Sequence, residues 1–207
     1  MTKPSRAVLI FSKLPETGKV KTRLIPELGA ERAAELYCRL LDRQLAWLTA
    51  ETDYSIQLWL TPSIDHPLIQ QWVNTPALSL FLQQGEDLGE RMMHAAHSAL
   101  QSYRQVVLIG VDCPALTPVH LQQAFAWLES HDGVLGPAQD GGYVLLGLKS
   151  TPRALFKDHH WGEADVAETT REAMQQLGWR WRELPLLWDL DRAEDLAQLE
   201  TLGIPLN

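Results

Sequence analysis

Lysine is scarce in this sequence. Of 207 residues only six are lysine (Lys3, Lys13, Lys19, Lys21, Lys149 and Lys157), and the chain carries a formal net charge of -8. An acidic chain with so few lysines lacks the broad basic face that a nucleic-acid backbone needs, which argues against a general nucleic-acid binder. Cysteine is scarce too. Cys38 and Cys113 have no C-x-x-C spacing, which argues against a disulfide framework or a zinc site and fits a reducing cytosol. No apolar run is long enough to span a bilayer, and the first one, preceded by Lys3 and Arg6, is too short for a signal peptide. Internal repeats and low-complexity stretches are missing as well. A 45% hydrophobic content is ordinary for a globular protein. We therefore expect one domain over residues 1–207, with room for an added subdomain, burying roughly 70% of the surface its unfolded form exposes.

Four of the six lysines precede residue 22, and three of them fall in one loop. Ala7-Val8-Leu9-Ile10-Phe11 is short, uninterrupted and β-prone, and reads as a strand buried on both faces. Pro15 and Gly18 then break regular structure. Lys13, Lys19, Lys21 and Arg23 face a single anion, Glu16, so the loop reverses the sign of the protein locally. Exposed charges are screened beyond roughly 8 Å at physiological salt, so distant carboxylates do not cancel it. A basic, glycine-bearing loop at the carboxyl end of a first parallel strand is where α/β sheets hold phosphates. A solvated lysine loop is the bland alternative. A P-loop is excluded, because Gly18-Lys19 is followed by Val20 and no glycine stands five positions before Gly18.

Further along, apolar spacing predicts a helix over 30–48, strands over 56–60 and 78–82, a short helix over 69–73, and a helix marked by Met92, Met93, Ala96, Ala99 and Leu100. A strand over 106–109 follows, then a helix opened by Thr117-Pro118, strands at 134–135 and 143–148, a helix over 166–177 and a last helix from about Ala193. Strands alternating with helices imply βαβ units and a mainly parallel sheet.

Three acidic segments fall at strand ends. Asp112-Cys113-Pro114 follows the strand 106–109, at the sheet edge where the basic loop also lies. Phosphates beside a carboxylate repel unless a cation bridges them, and Mg²⁺ typically takes one or two carboxylates plus substrate phosphates. The alternative is a turn made by Asp112 with Pro114. Asp140-Gly141-Gly142 offers a carboxylate and a close backbone approach to a ligand, or else a plain glycine hairpin. Near the end, Asp191 with Glu194 three residues on reads as a capping box, which leaves Asp189 as the better metal candidate. Gln84 to Met92 either wraps a base or sugar, or merely brackets a helix start with acidic residues. His94 and His97, one turn apart with no carboxylate partner, read as ordinary residues. Trp179-Arg180-Trp181-Arg182 reads as an edge strand with an aromatic core face.

Phe11-x-Lys13-x-Pro15-x-x-Gly18-x-Val20-Lys21-Thr22-Arg23-Leu24, Leu88-Gly89-x-Arg91-Met92, Gly110-x-Asp112-Cys113-Pro114-x-Leu116, Gly136-Pro137-Ala138-x-Asp140-Gly141-Gly142-Tyr143 and Asp189-x-Asp191-x-x-x-Asp195-Leu196 together resemble a bacterial family assigned to the GT-A glycosyltransferases, one branch of which is associated with arsenosugar biosynthesis. The resemblance runs from residue 7 to about 200, and its first and fourth motifs are specific. The chain is more distantly similar to 2-phospholactate guanylyltransferase and to the molybdenum-cofactor guanylyl- and cytidylyltransferases. The resemblance implies a Rossmann-like nucleotide-diphospho-sugar transferase (GT-A) fold, a mainly parallel sheet with helices on both faces. It implies that Lys13, Gly18, Lys21, Arg23 and Gly89 bind the nucleotide. It also implies that Asp112 and Asp189 hold Mg²⁺ or Mn²⁺, and that Asp140 and Asp112 serve catalysis. GT-A glycosyltransferases usually show D-x-D at the metal, and Pro114 removes the second acid here, a shift toward the nucleotidyltransferase pattern. Three functions follow as expectations: a glycosyltransferase with a nucleotide-sugar donor and a small-molecule acceptor, a nucleotidyltransferase using an NTP and a phosphorylated acceptor, or a non-catalytic nucleotide-binding module.

Overall fold

The first apolar run folds as β1 (Arg6–Lys13), and its side chains feed two separate cores. Val8 and Ile10 join Leu36, Leu40 and Phe125 on one face of the sheet. Ala7 and Leu9 join Met92, Ala96 and Met174 on the other. All four strand residues are 0% exposed. A strand whose side chains alternate between faces can be apolar throughout only when both faces are covered. The structure, a computed structural model, describes residues 5–51, 53–75, 77–157 and 159–204.

After β1 and the basic loop come a 3₁₀ turn (Thr22–Leu24), the short α1 (Ile25–Leu28) and the long α2 (Ala30–Thr49). Helix α2 buries Ala33, Leu36, Tyr37, Leu40, Leu41, Leu45 and Leu48, the three-and-four spacing of one helical face. Next are β2 (Ser55–Thr61), a 3₁₀ turn (Pro67–Ile69) with α3 (Gln70–Val73), β3 (Leu78–Leu82), α4 (Leu88–Ser102) and β4 (Gln105–Gly110). Then follow α5 (Pro118–Leu128), β5 (Gly133–Pro137), β6 (Tyr143–Leu148), a 3₁₀ turn (Arg153–Leu155), α6 (Val166–Gln176), β7 (Trp181–Glu183), a 3₁₀ turn (Ala193–Asp195) and α7 (Leu196–Thr201). Helices α2, α5 and α7 contribute to the first core, α4 and α6 to the second.

Among the described residues, seven strands form one sheet in the order β3-β2-β1-β4-β6-β5-β7. Strands β1, β2, β3 and β4 pair in parallel, as do β5 and β7. Strand β6 alone runs against its neighbours β4 and β5. Only Ala138 to Gly142 join β5 to β6, far too few residues for a parallel crossover. The architecture is thus the mainly parallel, Rossmann-like sheet with helices on both faces that the sequence predicts. The Trp179–Arg182 stretch supplies the edge strand β7, with Trp179 and Trp181 against the second core and Arg180 and Arg182 exposed. Among the described residues no helix is long and apolar enough to cross a membrane.

Helix starts are built locally. Asp87 caps α4, its carboxylate accepting from the Glu90 amide at 2.8 Å, and Glu90 reaches back to the Glu86 amide at 3.0 Å. That is the helix-bracketing reading of the Gln84–Met92 stretch. Thr117 caps α5, with His120 Nδ1 accepting from the Thr117 amide at 3.1 Å. The C-terminal cap corrects the sequence reading. Asp195, not Glu194, turns back, and it accepts from the amides of Asp191 and Arg192 at 2.9 and 2.7 Å. The helical turn begins at Ala193, one position after the start that an Asp191–Glu194 box requires. The Asp191 side chain is therefore not the cap.

Candidate active site

The basic loop is pinned at its base by a residue of α2. The Lys13 amide donates to the Tyr37 hydroxyl at 3.0 Å, and Ser12 Oγ lies 3.0 Å from the same hydroxyl. Gln83, just past β3, donates from Nε2 to the Ser12 and Trp59 carbonyls at 3.1 and 2.8 Å, tying the ends of β1 and β2 together. Further round the loop, Gly18 has φ 79° and Lys21 has φ 49°, ψ 38°. A left-handed backbone is uncommon for a residue with a side chain and persists where its surroundings impose it. Here the Lys21 ammonium pairs with Asp112 and donates to the Leu190 carbonyl, and the side chain is 4% exposed. Arg23 reaches the cavity from the following turn and pairs with Asp191, which raises the guanidinium pKa further.

The acids arrive from three places. Asp112 follows β4, and its carboxylate faces Lys21 rather than its own turn. Beyond β7 the chain continues alongside β5. The Leu184 amide donates to Leu135 O at 2.9 Å, Leu187 to Pro137 O at 3.0 Å, and Leu190 to Asp112 O at 2.7 Å. This path delivers Asp189 and Asp191 beside Asp112. Asp140 sits in the β5–β6 turn, where Oδ1 accepts from the Gly142 amide at 2.8 Å. It is a turn residue and a cavity-wall residue at once. Burial, then the charges of Asp140, Asp191 and Asp112, push the Asp189 carboxyl up to about 6. Cys113 lies in the wall, but burial pushes its thiol up to about 12, which removes it as a nucleophile.

These groups line one cavity of about 680 Å³ at the carboxyl edge of the sheet, within the range of small-molecule sites. Lys13, Lys19, Lys21, Arg23 and Arg91 stand on its walls, as do Asp112, Asp140, Asp189, Asp191 and Glu163. Two predicted residues are elsewhere. Gly18 supplies a turn conformation and is not on the wall. Gly89 lies in the first turn of α4, where an added Cβ would fall 2.5 Å from the Phe156 carbonyl oxygen, so its requirement is packing. Tyr37, Gln83, Trp161 and Glu163 are wall residues that the sequence did not single out. The His94 and Trp59 rings lie nearly perpendicular with centroids 6.1 Å apart, while His97 Nδ1 lies 3.3 Å from Thr151 Oγ1. A second recess, of about 30 Å³, lies by Arg6, Tyr54 and Phe125 and has room for about one water.

A divalent cation fits this donor set in a limited way. Asp189 is crowded by three other carboxylates, a repulsion that a cation relieves, and Asp112 already draws an ammonium. Among the described residues no three side chains of metal-binding type converge. That suits Mg²⁺ or Mn²⁺ held by one or two carboxylates with substrate oxygens supplying the rest, and does not suit an all-protein cage.

The profile of the family "Uncharacterized protein conserved in bacteria (DUF2064)" matches residues 44–163, more than half of the chain. No curated protein matches. A provisionally assigned nucleotide-diphospho-sugar transferase from Desulfovibrio desulfuricans is 37% identical with TM-score 0.88, over 96% of this chain and 87% of that one. A cytidylyltransferase from Leptospira borgpetersenii has TM-score 0.60 at 13% identity, over 95% and 85% of the two chains. A Mycobacterium tuberculosis protein solved as a manganese complex has TM-score 0.53 at 15% identity, over 96% and 98%. The last two are alike in fold alone.

Proposed function

The chain belongs to the bacterial family DUF2064, and from that premise we propose that it is a metal-dependent transferase acting on an activated nucleotide, with a nucleotide-sugar as donor. One observation carries the reading: the wall of a single cavity at the carboxyl edge of the sheet brings together Lys21 paired with Asp112, Arg23 paired with Asp191, and the carboxylate of Asp189. Lys13, Lys21 and Arg23 neutralise the diphosphate, with Arg23 able to offer two parallel donors to phosphate oxygens. Asp112 and Asp189 hold Mg²⁺ or Mn²⁺, which when bound stabilises charge on the leaving phosphates. Asp140 takes the proton of the acceptor hydroxyl as that oxygen bonds to the anomeric carbon. The anomeric bond to the diphosphate breaks, and its electron pair leaves with the nucleoside diphosphate.

A second reading is nucleotidyl transfer, in which an acceptor phosphate oxygen attacks the α-phosphorus of an NTP and pyrophosphate leaves. It is favoured by the single acid of Asp112-Cys113-Pro114, whose middle residue is a buried thiol and whose third is proline. The test is a thermal-shift screen of nucleotides and nucleotide-sugars with and without Mg²⁺, followed by product analysis. Released nucleoside diphosphate supports the first reading, and released pyrophosphate the second. Nucleotide binding with neither product means a non-catalytic module and overturns both. Asp140→Asn keeps an oxygen for the Gly142 amide and loses the base, so nucleotide affinity stays and glycosyl transfer slows by roughly 10²–10⁴-fold.

A further inference from the structure

One end of the cavity is not explained by phosphate binding. Trp161 lies in its wall, stacked on His159 with ring centroids 4.6 Å apart and planes 8° from parallel. His159 is itself held, with Nε2 3.0 Å from Thr170 Oγ1 and Nδ1 2.9 Å from the Lys157 carbonyl. The edge of the indole meets α4, since a Cβ on Gly89 would fall 2.6 Å from Trp161 Cζ2. The ring is thus fixed at one face and one edge while it still belongs to the cavity wall. Leu88, Met92 and Tyr143 continue an apolar surface beside it, the Tyr143 hydroxyl lying 3.8 Å from Met92 Sδ.

The charges at this end are acids. A Cβ on Gly141 would fall 2.0 Å from the Ala164 carbonyl oxygen, and the Ala167 amide donates to the Gly141 carbonyl at 2.9 Å. This backbone contact brings the Glu163 segment against the turn that carries Asp140. Four wall cations, Lys13, Lys19, Lys21 and Arg23, come from the β1 end and its loop; Arg23 is within electrostatic reach of Asp140, and none of the four comes from the segment that carries Trp161 and Glu163. The fifth, Arg91, is turned back to the Gly85 carbonyl through Nε at 2.9 Å.

We propose that this end is the acceptor subsite, and that it takes a neutral, ring-bearing polyol of the sugar class, not a phosphorylated acceptor. This rests on the transferase reading above. The apolar C–H face of a sugar ring matches a fixed indole face, and its hydroxyls can donate to Glu163 and Asp140. A phosphate dianion in the same place faces two carboxylates and pays for their repulsion.

The probes are a set of methyl hexosides and the corresponding hexose 6-phosphates, read by saturation-transfer NMR on the intact protein at millimolar concentration. The hexosides receive saturation at their ring protons, and the 6-phosphates receive less. Trp161→Ala weakens hexoside binding roughly two- to tenfold, and Trp161→Phe restores part of it. Glu163→Lys shifts the preference toward the 6-phosphates, a readout that does not depend on removing the tryptophan. Melting temperatures of the three variants separate a misfolded chain from a lost contact. The proposal is overturned by no hexoside signal, by an equal or stronger signal from the 6-phosphates, or by hexoside binding that survives Trp161→Ala in a folded chain. Nucleotide binding is titrated in parallel by calorimetry. If Trp161→Ala weakens it as much as Arg23→Ala does, the platform holds the base and the proposal fails. Hexoside binding without any nucleotide binding would leave the sugar subsite standing and sink the transferase reading instead.

Discussion

Lys21 and Asp112 form an ion pair in which the ammonium is almost wholly enclosed and the carboxylate is not: the lysine side chain is 4% exposed and the aspartate side chain 54%. The lysine also donates to the Leu190 carbonyl, so one side chain joins the β1 loop, the end of β4 and the segment after β7. A carboxylate that holds an ammonium has the same need for positive charge as one that holds a divalent cation. If Asp112 is a metal ligand, Lys21 competes with the metal. Lys21→Met should then bind Mg²⁺ several-fold more tightly in the absence of nucleotide, and bind nucleotide less tightly, both measurable by calorimetry. Unchanged or weaker Mg²⁺ binding would make the pair a permanent strut and move the metal away from Asp112.

Arg23 and Asp191 form the second ion pair in the cavity wall. Arg23→Ala should weaken nucleotide binding through the loss of charge-assisted bonds to phosphate, while Arg104→Ala at the opposite end of the sheet should not. Asp191→Asn leaves Asp195 in place as the cap, so the fold keeps its stability. It also frees the guanidinium, and nucleotide affinity should rise. Equal affinities for Arg23→Ala and Arg104→Ala would remove the loop from the binding site.

Asp189 sets a pH dependence. Its folded-state value of about 6 lies above the ordinary 3.8, so between these pH values the native chain keeps a proton that the unfolded chain has lost. Ionising Asp189 in the ligand-free protein therefore costs stability, and the cost appears in full only once pH has risen through about 6. Asp189→Asn should stabilise the ligand-free protein at pH 7.5 by on the order of 1 kcal/mol once solvent screening of this half-buried group is counted, with the gain fading toward pH 4. Urea unfolding at the two pH values measures it. A gain that does not change with pH would mean that burying the Asp189 charge among other carboxylates is not its source.

Gly141 and Gly18 both have positive φ, 89° and 79°, but their surroundings differ. An added Cβ at Gly18 meets nothing within 4 Å, whereas at Gly141 it strikes backbone. Gly18→Ala should cost roughly 1 kcal/mol from conformation alone. Gly141→Ala should cost that plus a further ~1–3 kcal/mol of overpacking, and should weaken hexoside binding by moving the Glu163 segment off the turn. Equal unfolding midpoints for the two variants would mean that this backbone contact gives way cheaply.

Several features needed only local pattern. The uninterrupted apolar run at 7–11 could fit only a strand covered on both faces, and it feeds both cores. The order of strands and helices follows from apolar spacing, and Asp112 reaches the sheet edge because it lies two residues past the end of β4. The direction of β6 was also within reach, since five connecting residues forbid a crossover. The cap at the last helical turn was misread by one position. Asp191, Glu194 and Asp195 all look suitable in a string of letters, and only the place where the turn starts selects Asp195.

The rest belongs to tertiary structure. Arg23 meets Asp191 across 168 positions, and Lys21 meets the Leu190 carbonyl across 169. Such pairs have no period, because charge acts through space and not along the chain. Nothing local distinguishes Trp161 and Glu163 from other loop residues. Close backbone approach at Gly89 and Gly141 brings them to the cavity, and it depends on side chains that are missing there. Composition and spacing determined the layers and the edge at which the acids gather. Contacts between distant segments decided which acid faces which base, and what forms the wall opposite the phosphate loop.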